Sequence, residues 1–281
     1  LDAVEALTQA LTTDPFWGVR LEVAEQLASI KLDQALTGLL NGLNDQDARV
    51  RRTVVHALGG IKTQDSYKAL KTMAEKGDPA YTVEAAALTA LGKLAAATLN
   101  GKSKEDKIIK LLKSALSDRA GWNEVVRSGA IAGLSQMKTS AAALDLILDY
   151  TAAGVPQPLR LNAIRALGAI SSGQSNANLA RILERLAELA HETFFLTQVS
   201  VVMSLGRMET MKAVGMLQGL SDRTPDGRVR RMAEEAVQRV QKAAGTDQSV
   251  KQLREELDQL KQANQELRSR LESLEAQAKA K

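Results

Sequence analysis

A recurring pattern of apolar and small residues constrains the fold of this chain more than any other feature of its sequence. Within each copy these residues recur at i, i+4, i+5 and i+8, which places them on one face of a helix. The copies are anchored by Leu27, Leu58, Leu91, Leu134, Leu167, Leu205 and Val237. The anchors lie 31, 33, 43, 33, 38 and 32 positions apart, which is the length of a helical hairpin.

A second amphipathic segment precedes each of these helices, joined to it by a short turn with Asp, Pro or Gly. We predict these first helices over residues 2–11, 33–43, 66–76, 105–116, 141–150, 178–191 and 211–220. Two helices per repeat indicate an all-α fold, a HEAT-type, armadillo-like α-solenoid of about seven helical hairpins. The Gly after the last Leu of several copies is expected to end the helix. Polar insertions near residues 95–105 and 170–178 are expected to be surface loops or partner contacts.

The last part of the chain has a different period. Its apolar residues alternate at steps of three and four, which gives a helix one narrow seam that stays dry only against another helix. The seam comprises Val250, Leu253, Leu257, Leu260, Asn264, Leu267, Leu271, Leu274 and Ala278. We therefore divide the chain into a solenoid over residues 1–244 and a coiled-coil heptad tail over residues 245–281.

Two features of the tail favour a parallel dimer of this chain. Asn264 occupies a seam position at which a buried amide costs stability and selects the register of two parallel strands. In that register Glu256 faces Lys261 of a second copy, and Arg270 faces Glu275, so both pairs attract. The alternatives are a higher oligomer, a solvated helix, and a helix that packs back on its own domain.

The composition excludes several classes of function. The chain has no Cys, which excludes disulfides and Cys-based zinc sites. A net charge of only +4 and an aromatic content of 3% argue against a nucleic-acid partner. No apolar run reaches the about 18 residues that a membrane span needs, so no membrane partner is expected. The chain begins at Leu1 rather than Met, which indicates a fragment and leaves the compartment open.

The search for catalytic groups finds no constellation. His56 lies within a predicted repeat helix, and His191-Glu192 begins like a zinc-protease motif whose second His is replaced by Phe195. A catalytic zinc needs three protein ligands, and no further candidates are at hand. We therefore predict no catalytic residue, no metal site and no cofactor for this chain.

One polar residue recurs, an Arg close to the start of the second helix of a repeat. The recurring residues are Arg20, Arg51, Arg127, Arg160 and Arg230. In a structural interpretation each Arg pairs with a turn carboxylate of its own or the next repeat, the candidates being Asp14, Asp47, Asp118 and Asp226. In a functional interpretation the arginines form a basic stripe on the concave face that binds an acidic peptide or a carboxylate. The further basic residues Arg52, Arg165, Arg228 and Arg231 favour the functional interpretation.

Two tryptophans occupy similar places in the pattern. Trp17 and Trp122 each stand shortly before the Val-Arg pair of their repeat. Either they pack the turn between the two helices, or they are exposed anchors for a partner.

The segment Asp14-Pro15-Phe16-Trp17-Gly18-Val19-Arg20, followed by Glu22, Ala24 and Leu27, resembles one family. It is similar to the C-terminal helical region of bacterial aminopeptidase N-type (gluzincin) zinc metallopeptidases, and the later repeats resemble generic HEAT units. In that family the zinc-binding H-E-x-x-H helix and the G-x-M-E-N loop lie in an upstream domain, and this sequence contains neither motif. The resemblance implies a non-catalytic C-terminal domain that shapes peptide access, with zinc only in an absent catalytic domain.

The sequence therefore supports two functions of different classes. The first is the C-terminal domain of an aminopeptidase-like enzyme, whose partners are the parent's catalytic domain, a peptide, and a second copy bound through the tail. The alternative is a free-standing HEAT-repeat scaffold that binds a protein segment on its concave face. A third and weaker interpretation, a HEAT-like lyase, lacks any visible cluster of acid, base or nucleophile.

Overall fold

Two layers of antiparallel helices, stacked repeat upon repeat, make up the described part of the chain. The computed structural model describes residues 2–30, 32–96, 102–208, 210–243, 260–262 and 264–265. Within those ranges the regular secondary structure is entirely helical, and there is no strand. The predicted fold class, an all-helical HEAT-like repeat solenoid, is confirmed.

Each repeat contributes one odd-numbered and one even-numbered helix. The odd-numbered helices are α1 (Asp2–Thr13), α3 (Asp33–Gly42), α5 (Gln64–Lys76), α7 (Lys102–Asp118), α9 (Ala141–Asp149), α11 (Asn176–Leu189) and α13 (Met211–Arg223). The even-numbered helices are α2 (Trp17–Ser29), α4 (Ala48–Leu58), α6 (Tyr81–Ala96), α8 (Val125–Gln136), α10 (Gln157–Ile170) and α12 (Phe195–Leu205), followed by α14 over residues 227–243. Short 3₁₀ turns occupy Trp122–Glu124 and Ser171–Gly173.

The core lies between the two layers, where the predicted anchors meet. Leu27, Leu58, Leu91, Leu134, Leu167 and Leu205 are all fully buried, and Val237 packs against the same core. Side-chain oxygens fix the start of several helices by accepting a hydrogen bond from an otherwise unpaired backbone N–H. These caps are Asp47, Thr63, Ser140, Ser175 and Thr210.

The even-numbered helices form the more tightly packed layer. Consecutive members from α2 to α12 contact each other closely, whereas among the described odd-numbered helices only α1 and α3 pack extensively. In a curved stack of hairpins the helices on the inside of the curve lie closer together. The even-numbered helices therefore line the concave side.

The glycines that follow the anchoring leucines differ from the prediction in two repeats. α6 continues past Gly92 to Ala96, and α10 continues past Gly168 to Ile170, so neither glycine ends its helix. A Cβ added to Gly92 would collide with the carbonyl oxygen of Gly133 on α8. The glycine is needed there because two helix backbones approach too closely for a side chain.

The two insertions and the tail are described only in part. The stretch near residue 171 forms the 3₁₀ turn and returns to the preceding repeat, where Gln174 Nε2 donates to the Lys138 carbonyl at 2.6 Å. Residues 97–101 of the other insertion lie outside the described residues. So does most of the tail, including its seam residues Val250, Leu253, Leu257, Leu267, Leu271 and Leu274. Leu260 is helical and 66% exposed, and Asn264 is helical and exposed.

Candidate binding surface

Three of the five recurring arginines join their own repeat to the next one. Arg20 on α2 is only 4% exposed. Its Nε donates to Asp45 Oδ2 at 2.6 Å, its Nη2 to Asp45 Oδ1 at 3.0 Å, and its Nη1 to the Asp14 carbonyl at 2.7 Å. Asp45 belongs to the turn of the following repeat. One guanidinium therefore closes its own turn and binds the next turn through two charge-assisted hydrogen bonds.

The same connection recurs at two further repeats. Arg51 donates to both oxygens of Asp78 at 2.8 Å and to the Asp45 carbonyl at 2.7 Å. Arg160 donates to both oxygens of Glu192 at 2.8 and 2.5 Å and to the Thr151 carbonyl at 2.8 Å. The hydrogen bonds from Arg160 hold the pKa of the Glu192 carboxyl below its usual range. We call this series of turn-to-turn contacts the ladder.

Other repeats keep the ladder with different chemistry. At the third repeat the charges are reversed, because Glu84 is the helix residue and Arg119 in the next turn is its partner. At the sixth repeat an amide replaces the charge, and Gln198 accepts from Thr224 Oγ1 at 3.1 Å. The remaining two arginines stay within their own repeats. Arg127 pairs with Glu124 at 3.0 Å, and Arg230 donates to the Thr224 carbonyl at 3.1 Å.

The carboxylates of the ladder are not those that the sequence suggested. Asp47 and Asp226 cap their helices and pair with the exposed Arg49 and Arg228, two residues further on. Asp118 accepts from two serine hydroxyls, and Asp14 contributes only its carbonyl to the ladder. Asp45, Asp78 and Glu192 take the predicted role instead.

The two tryptophans have different environments. Trp17 is half-buried against the core, and the guanidinium carbon of Arg49 lies 3.4 Å from the centre of its ring. Trp122 is 71% exposed. It precedes Asn123 and Glu124, which adopt left-handed backbone angles with φ of 51° and 57°. The turn thus holds Trp122 outward at a cost in backbone strain, and a role as an anchor for a partner stays a prediction.

A second set of basic residues lies on the concave side. Four of its members stand one, five or nine residues beyond the ladder residue of their helix, a spacing that keeps them on one helical face. The fifth, Arg207, lies in the turn that follows the end of α12. They are Arg52, His56, Lys93, Arg165 and Arg207, and we call them the inner basic surface. None of the five forms an ion pair with a described residue. At the equivalent positions of the other even-numbered helices, acidic residues occur only as Glu25 on α2 and Glu235 on α14. The stretch from α4 to α12 therefore has no acidic residue at these positions.

Like charges meet at two points of this surface. Burial, together with the charges of Arg52 and Lys93, lowers the pKa of the His56 imidazole. Burial and the charge of Arg207 lower the pKa of the Arg165 guanidinium. The surface therefore carries positive charge that the protein itself does not neutralise. Sequence reasoning had placed Arg52 and Arg165 on the concave face but missed the other three.

The described residues bring together no group of three His, Asp or Glu side chains that could hold a metal ion. His56 lies on the inner basic surface, whereas His191 is exposed just beyond α11. None of the helices in the described ranges is long and apolar enough to cross a bilayer.

Comparisons with known proteins agree with the repeat architecture. A family profile described as HEAT repeats matches residues 4–92. No curated protein matches the chain in sequence. Among solved structures, the complex of CpcE and CpcF of phycocyanin lyase from Nostoc sp. PCC7120 is 17% identical, with a TM-score of 0.49, covering 84% of this chain and 94% of that chain.

Two further structures have the same kind of similarity. The archaeal HEAT-like repeats protein from Thermococcus onnurineus NA1 is 17% identical, with a TM-score of 0.42, over 86% of this chain and 98% of that chain. Human deoxyhypusine hydroxylase in complex with glycerol is 20% identical, with a TM-score of 0.39, over 86% and 85% of the two chains. At these identities the similarity concerns the fold alone.

Proposed function

We propose that this chain is a non-catalytic HEAT-repeat scaffold that binds an acidic protein segment along the inner basic surface. The proposal depends on one observation. Five basic side chains lie on the concave side, and none of them forms an ion pair with a carboxylate of the described residues. An uncompensated positive surface on a concave face attracts a chain of opposite charge and orients it. Solenoids of this class present such extended concave surfaces to their partners.

The ladder arginines are less suited to this role than their neighbours. Arg20, Arg51 and Arg160 already bind carboxylates of the protein through both arms of the guanidinium. An incoming carboxylate would have to displace a carboxylate of the same chain, which the fold already holds next to the arginine. We therefore assign the ladder to stability and the inner basic surface to binding.

The comparisons and the contacts of the Asp14–Arg20 turn are the two reasons why we favour a scaffold over an aminopeptidase domain. None of the similarities described above involves an aminopeptidase. The Asp14–Arg20 motif, on which the resemblance depended, is accounted for by turn chemistry. Asp14 Oδ1 accepts from the Phe16 N–H at 2.8 Å, and Arg20 builds the first rung of the ladder. A motif with this local role needs no catalytic partner domain.

Binding of fluorescein-labelled decaglutamate, followed by anisotropy at low ionic strength, tests the proposal. We expect an affinity in the micromolar range that weakens as salt screens the charges, and no binding of decalysine. The combined change Arg52→Glu, Lys93→Glu and Arg207→Glu should weaken binding by more than about tenfold. These three side chains are exposed, so the fold should tolerate the change.

A matched control uses three exposed lysines on the outer helix α7, which are Lys107, Lys110 and Lys113. Their change to Glu alters the net charge equally but leaves the concave side untouched. The proposal is wrong if decaglutamate does not bind the unmodified chain, or if both triple variants lose the same affinity.

We further propose that residues 245–281 join two copies of the chain in a parallel coiled coil. The unbroken heptad supports this, and so does the 66% exposure of Leu260, a seam residue within the described part of the tail. An apolar seam exposed in the monomer is buried when a second copy pairs with it.

A further inference from the structure

Arg165 differs from the other arginines that the fold withdraws from water. Seven arginines within the described residues are buried or half-buried. Six of them form an ion pair with a carboxylate, and these are Arg20, Arg51, Arg119, Arg127, Arg160 and Arg185. Arg165 has none. A charge that is withdrawn from water without a counterion costs free energy. We therefore expect Arg165 to have a different role from the six paired arginines.

Neutral groups hold the Arg165 side chain in place. Its Nε donates to Ser200 Oγ on α12 at 3.2 Å, and its Nη1 lies 3.5 Å from Asn162 Oδ1 on its own helix. Asn162 is fixed in turn, because its Nδ2 donates to Ser128 Oγ on α8 and to the Pro158 carbonyl, both at 2.9 Å. Three consecutive even-numbered helices thus orient the guanidinium without neutralising it, and no described residue accepts from its Nη2.

Two further arginines belong to the two repeats that follow Arg165. Arg207 lies just beyond the end of α12, and its positive charge adds to the effect of burial in lowering the pKa of Arg165. Arg239 of α14 brings its Nη1 next to Gly206. The nearest acidic residue in the register, Glu235, is already paired with Arg231 at 2.9 Å. Each of the three helices α10, α12 and α14 therefore contributes an arginine to this part of the surface, on the helix itself or just after its end.

We infer that Arg165 and Arg207 form an oxyanion site within the inner basic surface, which takes a phosphoryl or carboxylate group of the bound segment. A guanidinium presents its N–H groups as a fork that matches the paired oxygens of either group. The anion would supply the counterion that the other six arginines find inside the protein. This inference rests on the proposed function, since it names the group on the partner that this part of the surface recognises.

The test uses three fluorescein-labelled peptides of alternating Glu and Ala that differ only at the central residue, which is Ser, Glu or phosphoserine. The unmodified chain should bind the Glu or phosphoserine peptide several-fold more tightly than the Ser peptide. A preference for phosphoserine over Glu identifies a phosphoryl source, and equal preference identifies a carboxylate. Arg165→Ala should abolish the preference, and Arg165→Lys should reduce it because the fork is lost.

Arg181→Ala is the matched control, because it removes one positive charge from an exposed pair with Asp145 on the outer helices. It should retain the preference. A second measurement avoids substitution: titration with inorganic phosphate should shift the Nε–H resonance of Arg165 in the NMR spectrum of the unmodified chain.

The outcomes separate the two proposals. If the unmodified chain binds all three peptides equally and phosphate leaves the Arg165 resonance unmoved, the oxyanion site is wrong and the scaffold proposal stands. The same holds if Arg165→Ala retains the preference. If none of the peptides binds, both proposals are overturned.

Discussion

At the scale of single residues, register within a helix decides whether an arginine holds the fold together or faces outward. Arg51 and Arg52 are neighbours in the sequence. Arg51 points into the turns, where Asp78 accepts two hydrogen bonds from it, whereas Arg52 is exposed on the concave side and forms no ion pair with a described residue. Composition alone cannot separate the two roles, because only the direction of the side chain differs.

The pair provides a direct test of this division. Arg51→Ala leaves Asp78 half-buried without its partner, and we expect it to lower the free energy of unfolding by about 3 kcal/mol. Arg52→Ala removes an exposed side chain, so the change should stay within about 0.5 kcal/mol. Urea unfolding followed by circular dichroism measures both. Equal losses for the two variants would contradict the ladder.

A second residue-scale prediction concerns acid. Hydrogen bonds from the side chain and the backbone N–H of Arg49 lower the pKa of Asp47 from 3.8 to about 2. A carboxyl with a depressed pKa in the folded state stabilises the fold above the unfolded value, and this contribution is lost as the pH falls through the folded value. Stability should therefore decrease between about pH 4 and pH 2.

Asp47→Asn isolates this contribution, because Asn caps a helix about as well as Asp but does not titrate. The thermal midpoint of the variant should fall less steeply below pH 4 than that of the unmodified chain. Parallel curves for the two proteins would show that Asp47 is not the titrating group.

At the scale of the elements, glycines set how closely the concave helices pack. A Cβ on Gly92 would meet the backbone of α8, whereas one on Gly215 of α13 would have no atom within 4 Å apart from the backbone of its own helix. The two glycines look alike in the sequence, since each lies within a helix. Only the distance to the neighbouring helix distinguishes them.

The two positions should therefore respond with opposite sign to the same substitution. Gly92→Ala forces α6 and α8 apart, and we expect it to cost about 1–3 kcal/mol of stability. Gly215→Ala replaces a poor helix former in open space, and it should add about 0.5–1 kcal/mol. Chemical unfolding measures both changes. A gain at Gly92 would show that the layer packs less closely than described.

The sequence predicts the helices well because their periodicity depends only on local burial. All seven predicted first helices agree with the described ones to within three residues at either end. It predicts the stop at Gly92 wrongly, because close approach of another helix is not encoded locally. The sequence also predicts the arginines of the ladder but not the carboxylates that bind them. Asp45, Asp78 and Glu192 come next to these arginines only when the repeats stack.

At the scale of the whole molecule, the repeats supply both stiffness and a continuous surface. The ladder joins turn to turn on one edge, and the close layer of even-numbered helices joins repeat to repeat along the concave side. Because each repeat contacts only its neighbours, these two sets of contacts determine the curvature of the array. The inner basic surface follows from that curvature, since it brings five residues from four repeats of the chain to one side.

The tail adds a prediction about the number of chains in the assembly. If residues 245–281 form a parallel coiled coil, the full chain should sediment at twice 30.2 kDa at tens of micromolar, whereas a chain without residues 247–281 should sediment as a monomer. Leu260→Lys places a charge in the seam and should shift the full chain toward monomer. Asn264→Leu should raise the stability of the assembly and broaden its oligomer distribution, because the residue that selects two strands is gone. A full chain that stays monomeric contradicts the coiled coil, and a truncated chain that still dimerises places the interface on the solenoid instead.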